Sequence, residues 1–167
     1  MDHGFALITE ERKANGLFLK GDITFNTTIA NMNHYKNGAV LSHDRMVRAT
    51  AEEIKIMHTK CMGPDDMITS LSGGNQQKVV LARWLATHPK ILILNGPTVG
   101  VDIGAKYDIH KLLRELAKQG MAVLVVSDDV AEITALCDRA LIMKAGSMTG
   151  EFTGEDLTDD NLYKSTI

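Results

Sequence analysis

The sequence predicts an α/β fold: a mostly parallel sheet with flanking helices, joined to a helical subdomain. "ILIL" (91–94) and "AVLVV" (Ala122–Val126) are near-continuous apolar runs, as expected of strands buried on both faces of a parallel sheet. Between them Ile109, Leu112, Leu113 and Leu116 recur at helical spacing, and Gly120 is placed to end that helix. Strand, helix and strand joined by short loops predict a right-handed βαβ unit.

The remaining elements follow in chain order. "FALI" (Phe5–Ile8) is a short strand candidate, followed by the charged stretch "TEERK". From about 22 to 69 the chain reads as helical, polar and methionine-rich. Within that region Thr50 followed by Glu53 has the form of a capping box, with Ala51, Ile54, Met57 and Cys61 at helical spacing behind it. After "AVLVV" a helix is expected with Asp128 or Asp129 as its cap and Val130, Ile133 and Leu136 inward. "RALIMKAGSMTGEF" predicts a hairpin turning at Gly146-Ser147, and the tail adds one weak helix or frays. Most of the methionines and both cysteines read as core residues.

Composition narrows the class. With 167 residues and 44% hydrophobic content, the chain can bury the core of one domain, or a large piece of one. The formal net charge is −3, without a basic or acidic block, so nucleic acid and anionic membrane surfaces are not indicated as partners. No apolar run reaches the length of a membrane span, and "MDHGFALITEERK" lacks the pattern of a signal peptide. Cys61 and Cys137 suit a reducing cytosol better than a disulfide scaffold. The histidines are scattered without metal-site spacing, so no metal is expected.

The most informative string is "LSGGNQQKVVLARWLA" (71–86), two glycines opening a helix with Val79, Ala82 and Leu85 on its inward side. Peptide N–H groups at a helix start are unpaired and carry partial positive charge, which suits phosphate oxygens. Glycines admit close backbone approach, and Ser72 adds a hydroxyl. Taken alone, Ser72 would be only an N-cap and the glycines only a turn.

The string does not stand alone. "LSGGNQQK" resembles the signature motif of ATP-binding cassette (ABC) ATPases, in the variant of bacterial monosaccharide importers of the ribose and galactose type. "ILILNGPTVGVDIGAK" resembles that family's Walker B and D-loop, "LVVSDDVAEI" its switch region, "DRALIMKAGSMTGEF" its closing hairpin, and "ITEERKANGL" the segment near the Q-loop of the second cassette. The resemblance implies a partial P-loop NTPase fold. It divides the 1–167 domain into a helical subdomain over about 22–86 ending in the signature helix, a Walker B half over about 87–152, and a tail over 153–167. It also implies that Ser72, Gly73, Gly74 and Gln76 contact the γ-phosphate of ATP held by a second nucleotide-binding cassette, with Asp102 at the same interface.

Three departures predict that this chain is inactive alone. No G-x-x-x-x-G-K-[ST] phosphate loop occurs in it; the family pattern puts that loop upstream, so the chain is expected to be the C-terminal part of one cassette. Asn95 and Gly96 stand where the family carries the acidic pair for Mg²⁺ and water; asparagine lacks the charge, and glycine has no base. Asp128 stands at the switch-histidine position, where a carboxylate repels phosphate. Helix capping is the simpler role for it. Val99 replaces a common arginine, Trp84 reads as packing rather than nucleotide stacking, and Glu10, Glu11 and Arg12 are either a Q-loop cluster or a solvated charged segment.

The expected function is therefore that of an energy-coupling subunit of a monosaccharide importer. ATP and Mg²⁺ would serve the full assembly, with neither bound by this chain alone. Membrane permease subunits would hold it at the cytoplasmic face of the membrane, and an exposed sheet edge would favour self-association. The alternative is a non-catalytic, degenerate cassette acting as a scaffold or permease-interaction module.

Overall fold

A computed structural model describes residues 3–166; Met1, Asp2 and Ile167, the ends of the expected 1–167 domain, lie outside the described residues. The chain forms two compact units, Met1–Leu124 and Val125–Ile167. The first runs from β1 (Phe5–Ile8) through a π-helical turn (Arg12–Gly16) to α1 (Ile23–Thr28), which continues as a 3-10 helix (Ile29–Tyr35). A small antiparallel pair, β2 (Lys36–Asn37) and β3 (Val40–Leu41), leads to α2 (His43–Ile56). Then come a 3-10 turn (Ile68–Ser70), α3 (Gly73–Leu85), β4 (Ile91–Asn95), α4 (Ile103–Lys118) and β5 (Ala122–Val126), within which the two units divide.

The sheet has the order β1-β4-β5, and β1 pairs with β4 in parallel, Phe5 opposite Ile91 and Ile8 opposite Leu94. Its strands are not buried on both faces as their apolarity suggested. Burial alternates: Ala6, Ile8, Leu92 and Leu94 are buried, whereas Phe5, Leu7 and Leu124 are 52%, 51% and 53% exposed. The apolar run reports a strand that can be covered twice, but α3 packs against β1 and the described elements bury only one face of the sheet.

The helical region departs from the sequence reading at α2. Thr50 is not a cap; it is fully buried in the middle of a helix whose N-cap is Ser42. Met46, Thr50 and Met57 form its buried line, so a threonine serves as a small inward residue and the helix starts earlier than its apolar spacing suggests. Cys61 lies beyond the helix and is half-buried, as is Cys137. Among the methionines Met46 and Met57 are core, while Met62, Met67, Met143 and Met148 are exposed.

Helix α3 is more deeply set than an amphipathic helix. Every residue of Gln76 to Arg83 is buried, including the side chains of Lys78 and Arg83. Arg83 Nε donates to Asn26 O, Nη1 to Gly16 O and Nη2 to Asn26 Oδ1 at 2.9 Å, with the Phe18 ring 5.8 Å away. Burial lowers its pKa to about 10, which measures how strongly the surroundings penalise the charge. α4 buries Ile109 and Leu113, and Gly120, at φ +96°, follows its end as expected.

The second unit contains α5 (Val130–Leu136), β6 (Arg139–Lys144), β7 (Ser147–Thr153) and α6 (Asp159–Thr166). Asp129, not Asp128, caps α5, accepting from Glu132 N at 3.1 Å. The hairpin turns at Ala145-Gly146, both with positive φ, and Ser147 already pairs with Lys144. Val130, Ala140 and Leu162 form this unit's own core with Ile133, Ile142, Phe152 and Leu157.

Candidate functional site

Two helix starts meet in the first unit. Ser72 caps α3 with its Oγ, which accepts from Asn75 N at 3.5 Å and from Asn75 Nδ2 at 2.9 Å. Asp102 caps α4, its Oδ1 accepting from Ala105 N at 3.0 Å. Gly74 is where they touch: a Cβ there would lie 3.1 Å from Asp102 Oδ2, 3.4 Å from Val101 Cγ1 and far inside contact distance of Ala105 Cβ. The structure thus joins the first turn of α3 to the loop that opens α4, and Gly74 is glycine because α4 passes against it.

Gly73 has a similar reason. A Cβ there would sit 2.8 Å from Gly100 O and 2.6 Å from Arg12 Nη2. The Arg12 guanidinium donates from Nη1 to Val99 O at 2.6 Å and from Nη2 to Gly100 O at 3.0 Å. Burial pushes its pKa below the ordinary arginine value. The sequence allows Arg12 to be part of a Q-loop cluster or a solvated charge; in the structure it is a bridge to a loop 87 residues later in the chain, which no spacing rule could reveal.

Ser72 and Asp102 are exposed, Gly73 is half-buried and Gly74 is buried beneath them. Gln76 does not share that surface. It is 4% exposed, and its Nε2 donates inward to Ile68 O and Leu71 O, both at 3.2 Å. Around the rim Val99, Ile103 and Tyr107 are 44%, 90% and 70% exposed, an apolar border to a polar turn. No acidic residue lies in the first turn of α3, but the Asp102 carboxylate stands beside Gly74, so the turn carries the helix dipole and the Arg12 guanidinium on one side and a negative charge on the other.

Deeper in the helix pair, Lys78 Nζ donates to Asp108 Oδ2 at 2.8 Å and to His58 O at 3.3 Å. This fixes α3 to α4 one turn behind the rim, and the Lys78 hydrogen bond holds the Asp108 carboxyl below the usual carboxylate range.

At the end of β4 the chemistry is sparse. Asn95 is exposed, and Gly96 is buried with φ +59°. A Cβ on Gly96 would lie 2.9 Å from both Glu10 Cγ and Val99 Cγ2, so the space for a side chain is occupied as well as the conformation being unfavourable for one. These residues do not fit Mg²⁺. Asn95 offers a neutral oxygen, Gly96 none, and among the described residues no group of His, Cys, Asp or Glu side chains could hold a metal ion. Asp128 lies in the second unit, exposed and just before the cap of α5. Trp84 is half-buried on α3. Among the described residues no helix is long and apolar enough to cross a membrane.

Comparison with known proteins bears on this geometry. The family described as "ABC transporter" matches residues 7–99. The galactose/methyl galactoside import ATP-binding protein MglA of Treponema denticola is 42% identical over 164 residues, covering 98% of this chain and 33% of the relative. Its counterpart in Escherichia coli is 42% identical over 165 residues, again 98% of this chain and 33% of the relative. The chain therefore spans about a third of the length of the curated relatives it matches. Among solved structures, the ATP-binding cassette MJ0796 in a dimeric post-hydrolysis state bound to ADP and Pi superposes with a TM-score of 0.72 at 23% identity, over 89% of this chain and 62% of that one. The cassette MJ1267 in its ADP conformation gives 0.73 at 20%, over 93% and 63%. At these identities the superpositions establish the α/β cassette fold.

Proposed function

Because the chain belongs to the ABC transporter family, we propose that it is the signature-bearing part of the energy-coupling ATPase subunit of a monosaccharide importer. In this reading Ser72, Gly73, Gly74 and Asp102 meet ATP and Mg²⁺ bound by a second cassette. Permease subunits anchor the assembly at the inner face of the membrane. The segments 22–86, 87–152 and 153–167 act as the helical subdomain, the Walker B half and a tail. The carrying observation is the joined rim: the exposed Ser72 and Asp102 each cap a helix, those helices touch at Gly74, and exposed Val99, Ile103 and Tyr107 border them. A helix start with free backbone donors and an apolar surround suits an interface closing over a phosphate.

The test is association. The chain, fluorescently labelled, is titrated with a separately purified cassette that carries an intact phosphate loop, with and without ATP and Mg²⁺. Pairing that depends on ATP and is abolished by Ser72→Arg supports the reading. Pairing indifferent to both overturns it.

A second reading has its own support. Gly96 at φ +59°, with Glu10 and Val99 filling its side-chain space, favours a degenerate cassette that serves as a scaffold. Introducing Asn95→Asp and Gly96→Glu into a version with an upstream phosphate loop separates the two. Hydrolysis that appears argues for a repairable enzyme, and its continued absence for the scaffold.

A further inference from the structure

We propose that Arg12 is a positioning residue, a clamp that fixes the Val99–Gly100 loop against the first turn of α3 so that the signature turn and the D-loop form one rigid surface. The inference rests on the proposed reading for its purpose but on geometry for its substance. The guanidinium reaches two consecutive carbonyls, Val99 O at 2.6 Å and Gly100 O at 3.0 Å. The same Nη2 would stand 2.6 Å from a Cβ on Gly73, and it lies 3.5 Å from the corresponding position on Gly100. Both glycines therefore face Arg12; its planar fork fills the space a side chain on Gly73 would take, and touches the Gly100 position at ordinary contact distance.

Nε is buried without a hydrogen-bond partner among the described residues, so the fork is held by its two terminal nitrogens and by packing. Arg12 also opens the π-helical turn that follows β1, with its own N–H donating to Glu10 O at 2.9 Å. Any shift of the segment after β1 is thereby delivered to the loop and to the signature turn together. A lysine cannot substitute, because a single ammonium does not offer two parallel donors in a fixed plane.

Hydrogen exchange reads this directly. In the intact chain, Arg12→Ala is expected to speed amide exchange about tenfold in both 73–76 and 99–102, as loss of charge-assisted hydrogen bonds predicts. The β6–β7 hairpin should keep its wild-type rates, and Arg12→Lys should not restore the two segments. Acceleration confined to 99–102, or full rescue by lysine, overturns the clamp. Where Arg12→Ala does not fold, Arg12→Met serves instead. It keeps the aliphatic stem and removes both donors, and the same paired acceleration is expected.

A second measurement separates this proposal from the functional reading. In the ATP-dependent pairing assay, Arg12→Ala should weaken association about tenfold, alongside the loss caused by Ser72→Arg. If Ser72→Arg abolishes pairing and Arg12→Ala leaves it unchanged, the clamp serves nothing the partner meets and the proposal falls. If Ser72→Arg has no effect, the functional reading falls, and the clamp is decided by hydrogen exchange alone.

Discussion

Gly74 has no room for a side chain because Ala105 already occupies the position. A methyl on Gly74 would overlap the Ala105 Cβ and press on Asp102 Oδ2 and Val101 Cγ1. The contact joins the first turn of α3 to the first turn of α4 and accounts for a glycine without reference to a ligand.

Gly74→Ala is therefore expected to destabilise the chain by about 1–3 kcal/mol, the usual cost of overpacking. Ala105→Gly in the same chain should return part of that loss, although glycine inside a helix itself costs roughly 1 kcal/mol. Urea midpoints of the two single variants and the double variant measure the coupling. Additive effects would show that the two residues are not in contact.

Gly96 carries a different constraint. With φ +59° and neighbours at 2.9 Å on two sides, Gly96→Ala is expected to cost about 1–3 kcal/mol. Glu10→Ala should recover only part of the steric share, since Val99 Cγ2 and Glu10 Cβ remain in place, and should leave the backbone strain. Thermal unfolding of the single and double variants reads the two contributions, and a neutral Gly96→Ala would mean that the loop relaxes.

The Lys78–Asp108 pair predicts a pH dependence. Asp108 has a lowered pKa in the folded chain because Lys78 donates to it. Its stabilising contribution is thus fully present above the ordinary aspartate value, roughly pH 4, and is lost as the pH falls through the lower folded value. Asp108→Asn should flatten the acid limb of the stability curve. At neutral pH it should cost about 1–2 kcal/mol, below the figure for a fully buried pair, because the Asp108 side chain is 51% exposed.

Arg83 is a stricter case. Three of its nitrogens are committed to Asn26 and Gly16 while the residue is 5% exposed. Arg83→Ala removes the donors to Gly16 O and Asn26 O, leaves Asn26 Oδ1 with only the Phe18 N–H, and opens a cavity beside Phe18, at an expected cost of about 3–5 kcal/mol in chemical denaturation. Arg83→Lys keeps the charge without the fork and should recover less than half of it.

Strand and helix positions were legible because apolar runs and 3.6-residue spacing are local properties. Coverage was not. "ILIL" gives no sign of whether one or both faces of its sheet are packed, since that depends on elements far away in sequence. Thr50 misled because a short polar side chain can serve as an inward residue or as a cap, and only the position of Met46 on the same buried line decides. Within the candidate site, Ser72, Gly73, Gly74 and Asp102 were readable as a motif, whereas the inward turn of Gln76 and the bridge from Arg12 to Val99 were not. Motifs record which residue types occur together; they do not record which way a side chain faces.

The unbroken burial of α3 from Gln76 to Arg83 has a mechanical consequence. A helix start on a flexible loop could adapt to a contact by local rearrangement. Here the turn is the tip of a rod gripped along its length by Asn26, Gly16 and Asp108. Displacing Ser72 alone would therefore strain the hydrogen bonds that hold the helix to Asn26, Gly16 and Asp108, so the turn has little freedom to move apart from them.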